Sequence, residues 1–254
     1  MQDDWFDADI AAMELGYGEK AGLQLYRNYT RSFEDHALKR FVQTLDDEQF
    51  DIEPLQRLVG LVTREDPRFI PVIACAFADD TLRDVFKATL SDKVPGGKSS
   101  LLAGYGPLAD LSKRIQLAHA FDVMSPDLML EVDHLRVARN AISHSWDISS
   151  LEDFYDGGRV GQMFRVEDLV LERAGLGEEF SATFDARMRF RVRVVWLLCR
   201  LAYEAKTYQR AKAARLTPQR ALYGTPSTKW LGLVANVAMQ ATRAIAEASE
   251  VRQR

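Results

Sequence analysis

Apolar residues recur every three or four positions along most of this chain of 254 residues, with polar residues between them. That spacing predicts amphipathic helices, because a helix turns once in about 3.6 residues, whereas a half-buried strand alternates at every second residue. We find no convincing strand pattern and no internal repeat. The sequence therefore predicts an all-α protein.

Prolines mark the starts of three predicted helices. Pro54, Pro67 and Pro126 suit the first turn of a helix, where a proline nitrogen costs no hydrogen bond. The helix after Pro67 carries apolar residues around much of its circumference up to Leu90, which is typical of a helix at the centre of a core. Further helices are predicted at these places: residues 107–121, from about 181 onwards, and after 226.

Glycines predict the interruptions between helices. Gly16, Gly18 and Gly22 are expected to divide residues 8–45 into two helices, and residues 148–180 are expected to be irregular. The loop at 91–106 contains Gly-Lys-Ser but lacks the earlier glycine and the preceding strand of a phosphate-binding loop, so we interpret it as a connection. The pattern divides the chain into an acidic helical extension (1–50), a helical core (54–206) and a C-terminal helix (217–254).

Composition narrows the class of protein. The chain is 47% hydrophobic and 28% charged, with a net charge of −4, which is ordinary for a globular protein and unlike a general polyanion binder. Its two cysteines lie within apolar helical patterns and predict buried thiols, with no metal site. The acidic start is unlike a targeting signal, and no apolar run reaches the roughly 18 residues of a membrane span. We therefore expect a cytoplasmic protein that does not enter a membrane.

Charge is divided unevenly along the chain. Residues 1–53 hold 13 acidic and 5 basic residues, whereas residues 187–220 hold 10 basic and 1 acidic residue. Such asymmetry indicates either an interaction surface or two segments that pack against each other. Arg189, Arg193 and Arg200 share one helix face in the basic segment. If the protein binds RNA, they are the candidate phosphate-binding residues and are expected to line the approach to Arg139 and His144.

The residues with the clearest chemical potential form the stretch Arg-Asn-Ala-Ile-Ser-His-Ser-Trp-Asp at positions 139–147. Asn140 lies one helical turn before His144, so their side chains can share a face. An arginine five positions before a histidine is a weak signal alone, because the same spacing occurs at Arg31 and at Arg114. Only the third occurrence has an amide and further polar residues beside it at the end of an apolar helix.

Three segments in order along the chain carry a resemblance to a known family. They are residues 76–90, 106–115 and 135–145, within a region of about 55–150. This region resembles the mannitol-operon-repressor family, which is placed in the HEPN superfamily of helical bundles. The resemblance implies a HEPN-like helical bundle with helical N- and C-terminal extensions.

The resemblance also implies two alternative functions. Many HEPN proteins are metal-independent ribonucleases, with an Arg-polar-x-x-x-His motif from each of two subunits at a dimer interface, and Arg139, Asn140 and His144 fit that motif. A homodimeric ribonuclease of the toxin or defence type would need no metal and no cofactor, and its partners would be RNA and a protein such as an antitoxin. The mannitol-repressor branch is instead regulatory. This chain likewise has no recognisable helix-turn-helix, so the alternative is a non-catalytic regulatory or interaction protein.

Overall fold

The computed structural model describes residues 5–144, 154–155, 157–158, 160–173, 184–214 and 228–253. Within these ranges the chain forms ten α-helices and no strand, which confirms the all-α prediction. The helices are α1 (Ala8–Ala11), α2 (Tyr17–Asp47), α3 (Glu53–Arg64), α4 (Ile70–Thr89), α5 (Lys98–Leu102), α6 (Leu111–Ala120), α7 (Pro126–His144), α8 (Val166–Arg173), α9 (Ala186–Ala213) and α10 (Thr228–Gln253). No described helix combines the length and the apolar character that a membrane crossing requires.

Acidic side chains cap the helices that position the candidate site. The Asp66 carboxylate accepts a hydrogen bond from the Arg68 backbone N–H at 2.9 Å, and a single 3₁₀ turn then leads into α4. Asp110 accepts from the Lys113 backbone N–H at 3.0 Å, so α6 begins after it and not at residue 107 as predicted. Such caps satisfy amide groups that lack a partner within the helix.

Helices α4 and α9 form the centre of the core. Helix α4 packs against α9 on one side and against α6 and α7 on another, while α10 lies along α9 and α3. Completely buried apolar residues from α4, α7 and α9 fill this centre: Ile70, Ala74, Leu82, Val85, Leu128, Val132, Leu135, Phe190, Val194, Leu198 and Leu201. Burial of that area is the main force that stabilises the bundle.

The C-terminal helix belongs to the core, although the sequence suggested a separate extension. Trp230 of α10 is completely buried. Its indole Nε1 donates a hydrogen bond to the Glu48 carbonyl oxygen at 3.2 Å, and its ring packs edge-on against Phe50 at a centroid distance of 5.1 Å. Helix α9 also continues past residue 206 to Ala213, and Tyr208 and Ala211 in this last part are buried in the core.

Two loop predictions need correction. Helix α8 lies inside the segment expected to be irregular, and α5 lies inside the loop at 91–106. The Lys98 ammonium binds the Lys87 carbonyl oxygen and the Asp92 carboxylate, both at 2.8 Å, so it is held by the protein itself. Gly106 is needed here because a Cβ atom at this position would lie 2.4 Å from two backbone carbonyl oxygens.

The N-terminal extension consists of a short helix folded back on a long one. Gly16 ends the break between α1 and α2 as predicted, but Gly22 lies within α2. An exposed helix tolerates glycine at a cost of only about 1 kcal/mol, so the glycine does not end it. Only Gln24, Phe41 and Leu45 of the 31 residues of α2 are buried.

Candidate functional site

Arg139, Asn140 and His144 lie on the last two turns of α7. Buried residues of the same helix anchor it to the core, Leu135 and Ala138 among them. Arg139 and Asn140 are half-buried, whereas His144 is exposed at the final helical position. The remaining residues of the motif stretch, 145–147, lie outside the described residues.

Arg139 and His144 leave the helix in different directions. Five residues separate them, which corresponds to about 140° around a helix axis. Asn140 and His144 are four residues apart and share a face, as predicted. One protomer therefore presents an amide and an imidazole together, with the guanidinium turned toward another side.

Arg139 faces a groove between α4 and the start of α6. The groove has a volume of about 380 Å³, and its lining is Val72, Cys75, Ala76, Asp79, Ala109, Asp110, Leu111 and Arg139. The Arg139 Nε atom is buried and has no hydrogen-bond partner among the described residues. An arginine N–H group without a partner beside an open groove can donate a hydrogen bond to a ligand oxygen, such as that of a phosphate.

Cys75 lies in the same groove but is not suited to act as a nucleophile. Burial raises the pKa of its thiol to about 12, against the opposing charge of Arg139. The thiol therefore stays protonated at neutral pH, and a protonated thiol is a poor nucleophile. Among the described residues, no three side chains of His, Cys, Asp or Glu are grouped so that they could hold a metal ion.

Asp79, on one wall of the groove, forms an ion pair with Arg114 behind it. The Arg114 side chain is completely buried, and it pairs with the Asp79 carboxylate. Its second guanidinium nitrogen donates to the carbonyl oxygens of Leu102 and Ala109, each at 3.2 Å. This arginine therefore fixes α6 and the preceding loop to α4, which explains the Arg-x-x-x-x-His spacing at position 114 as a structural feature.

The other histidines lie away from the α7 end. His36 is exposed on α2, where its Nδ1 lies 2.7 Å from the Ser32 carbonyl oxygen. His119 is exposed at the end of α6, and His134 is buried within α7. We interpret all three as structural or surface residues, as the sequence suggested.

Arg193 does not line an approach to the α7 end, contrary to the sequence-based expectation. It is buried, and its Nε donates to the Glu167 carboxylate at 2.7 Å. Glu167 is itself completely buried. A desolvated pair of this kind has no free charge to offer a polyanion, because the carboxylate neutralises the guanidinium.

Arg200 lies at the wrong end of α7 for the expected role. Its guanidinium binds the Asp127 carboxylate at 2.7 Å, the Glu204 carboxylate at 2.8 Å and the Ser125 hydroxyl at 2.9 Å. Glu204 also accepts from the Ser125 backbone N–H at 3.0 Å. This cluster lies at the start of α7, and that start is about 26 Å from His144 along the helix axis.

Arg189 and the basic residues at the end of α9 are likewise paired within the chain. Arg189 lies 3.4 Å from the Asp168 carboxylate and donates from Nε to the Phe184 carbonyl oxygen. Lys206 and Arg210 both pair with Glu48 of the acidic segment. Contact between the acidic and basic segments was one of the two interpretations left open by the sequence, and the pairs at Glu48 support it.

Comparison with known proteins gives no relative. No family model matches the chain, and no curated protein or solved structure matches it. The resemblance to the mannitol-operon-repressor family consequently rests on the three sequence segments quoted above.

Sequence analysis missed the groove beside Arg139. Its polar lining comes from Asp79 and Asp110, which are far apart in the chain. A signal was present, since both residues lie in the segments that carry the family resemblance. Their position in one groove with Arg139 depends on how α4, α6 and α7 pack, which helical periodicity does not specify.

Proposed function

We propose that this protein is a metal-independent endoribonuclease that acts as a homodimer, with a composite site built from Arg139, Asn140 and His144 of both subunits. The observation that carries the proposal is the exposed end of α7, where Asn140 and His144 share a face and where Arg139, directed to another side of the helix, has a buried Nε atom without a partner among the described residues. The family resemblance adds the reaction type. A role of the toxin or defence kind would follow from such an activity, with an antitoxin as protein partner.

The reaction needs two proton-transferring groups and a cation. The His144 imidazole of one subunit takes the proton of a ribose 2′-hydroxyl, whose oxygen attacks the adjacent phosphorus. The bond from phosphorus to the 5′ oxygen then breaks, and the imidazolium of the other subunit gives that oxygen a proton. The products are a 2′,3′-cyclic phosphate and a free 5′-hydroxyl.

Arg139 and Asn140 support the two imidazoles. A guanidinium donates two parallel hydrogen bonds to phosphate oxygens and stabilises the charge of the phosphorane. The Asn140 amide, one turn before His144, orients the imidazole or the substrate. Two subunits are required because one protomer supplies a single histidine here and directs its arginine about 140° away from it.

The first test is the cleavage of single-stranded RNA in the presence of a metal chelator. His144→Ala should reduce the rate by at least about 100-fold, since a positioned general acid or base contributes about that much. His119→Ala is the matched control, because His119 is exposed and follows an arginine at the same spacing. Equal rates for parent and His144→Ala, or no cleavage by the parent, would contradict the proposal.

A second candidate is a non-catalytic regulatory protein that acts through protein contacts. The pairing of Arg193 and Arg200 with carboxylates inside the chain favours it, because that pairing removes the expected RNA-binding surface. In that case His144→Ala would change stability or partner binding, and RNA would remain intact.

A further inference from the structure

One face of α2 is aromatic and exposed. Tyr26, Tyr29 and Phe33 are 72%, 64% and 60% exposed. Their spacing of three and four residues places them in one stripe, and the rings of Tyr29 and Phe33 lie 4.6 Å apart. Adjacent large aromatic side chains in water are typical of an interaction surface.

The other side of α2 is already occupied. Gln24 is buried beneath the α1 segment, where its Oε1 accepts from the Asp7 backbone N–H at 2.7 Å. Arg27 binds the carboxylates of Asp7 and Asp9 on that side, and Phe41 packs into the core. The rings of the aromatic stripe therefore lie outside the contact between α2 and the α1 segment, and only Tyr26 borders a groove that it shares with Met13.

The stripe continues in both directions, and several of its members lie at positions that are symmetric about its midpoint. Its seven exposed members follow steps of three and four, the spacing of a seam between two paired helices. They are Glu19, Gly22, Tyr26, Tyr29, Phe33, Ala37 and Arg40. About a midpoint between residues 29 and 30, Tyr26 is placed symmetrically with Phe33, and Glu19 with Arg40.

We propose that α2 pairs antiparallel with α2 of a second copy of this chain across a two-fold axis at that midpoint. Tyr26 then packs against the partner's Phe33, and the acidic Glu19 pairs with the partner's basic Arg40. Two-fold symmetry repeats each contact, so the charges are complementary at both ends of the seam. A parallel pair would instead place identical charges side by side.

The stripe is large enough to contribute to a stable dimer. The seam from Glu19 to Arg40 is about 33 Å long, and the exposed parts of the three aromatic side chains amount to on the order of 400 Å² per protomer. Both copies together bring about 800 Å² of aromatic surface. Flanking residues raise the total toward the roughly 1,200 Å² of the smaller stable interfaces.

This interface is separate from the proposed nuclease site. Helix α2 packs mainly on α1 and α10, whereas α7 packs on α4, α6 and α9. The α2 pairing therefore does not depend on RNA cleavage, and His144→Ala should leave it unchanged.

Charge reversal tests the register directly in the full-length chain by sedimentation velocity. Glu19→Arg alone, or Arg40→Glu alone, brings like charges together at both ends, and each should weaken association by about tenfold or more. An equimolar mixture of the two variants should recover association, because each arginine then meets a glutamate. The variants Asp35→Arg and Lys39→Glu are the matched controls, because both residues are exposed and lie on another face of α2.

The mixture also separates pairing from local unfolding. Glu19 accepts a hydrogen bond from the Gly16 backbone N–H at 2.9 Å, so its replacement also weakens the helix start. Mixing cannot restore a lost cap, whereas it does restore a pair between chains. The proposal would be overturned if the parent sediments as a monomer, which would leave the stripe to another partner. It would also be overturned if the single variants associate like the parent, or if the mixture does not recover association.

Discussion

Three arginines on the core helices of this protein are held by partners within the chain. Arg114, Arg193 and Arg200 each bind a carboxylate together with a backbone carbonyl or hydroxyl oxygen. An arginine that is taken out of water needs a carboxylate and further acceptors, because an unpaired buried charge costs several kcal/mol. Arg114 and Arg139 each keep a buried Nε atom without a partner among the described residues, but of these two arginines only Arg139 lines the groove between α4 and α6.

The pair between Arg193 and Glu167 provides a test at the residue scale. Arg193→Ala leaves the completely buried Glu167 carboxylate without its cation, so the free energy of unfolding should fall by about 3–5 kcal/mol. Arg83→Ala removes an exposed pair with Asp80 and should cost less than about 1 kcal/mol. Urea denaturation measures both values. Similar losses for the two variants would show that the buried pair does not stabilise the fold.

At the scale of helices, local sequence signals were reliable where the cause is local. Asp66 and Pro67 begin α4 through a side-chain cap and a fixed proline angle, and both are visible in the sequence. The acceptor for Arg193 was not predictable in the same way. Glu167 lies 26 residues away, in a segment expected to be irregular. Only the packing of α8 on α9 brings the two together.

The α6 cap gives a pH-dependent test at this scale. Asp110→Ala should lower the free energy of unfolding by about 1 kcal/mol at neutral pH, through loss of the bond to the Lys113 backbone N–H. That N–H lowers the pKa of Asp110 below its ordinary value of 3.8. The stabilisation is therefore complete above that pH and is lost as the pH falls through the lowered pKa.

Asp110→Asn is the matched control for the cap. The amide oxygen can still accept from the Lys113 backbone N–H, but it does not titrate, so its stability should lack the acid-dependent part. The measurement is thermal unfolding of parent and both variants from pH 7 to pH 3. A constant gap between parent and Asp110→Ala over this range would contradict the assigned role of the carboxylate.

At the scale of the whole molecule, the helical class could be predicted from the sequence, but the contacts between distant helices could not. The amphipathic pattern after residue 226 indicated a helix, yet it did not show that Trp230 would reach Phe50 across the bundle. The two regions are distant in sequence, and a periodic pattern gives the buried face of a helix without its partner. The same reason explains why the α7 motif was found and the groove beside it was not.

The position of the motif connects the fold to the proposed reaction. Helix α7 is fixed at its start by the Arg200 and Glu204 cluster and along its length by the core, so its last turns are presented from a rigid element. Rigid presentation favours catalysis because acid and base must stay within hydrogen-bond reach of the reacting atoms. A single protomer lacks the second imidazole, which a two-fold partner would supply.

Mixed dimers give the most direct test of a composite site. Parent and His144→Ala chains are co-folded at different ratios, and RNA cleavage is measured at constant total protein. If both imidazoles of a dimer are needed, cleavage should follow the square of the parent fraction, so an equal mixture retains about one quarter of the parent rate. If the cleavage rate instead falls linearly, so that an equal mixture retains about one half of the parent rate, each chain acts alone and the composite site is contradicted. Absence of cleavage by the parent would also contradict it.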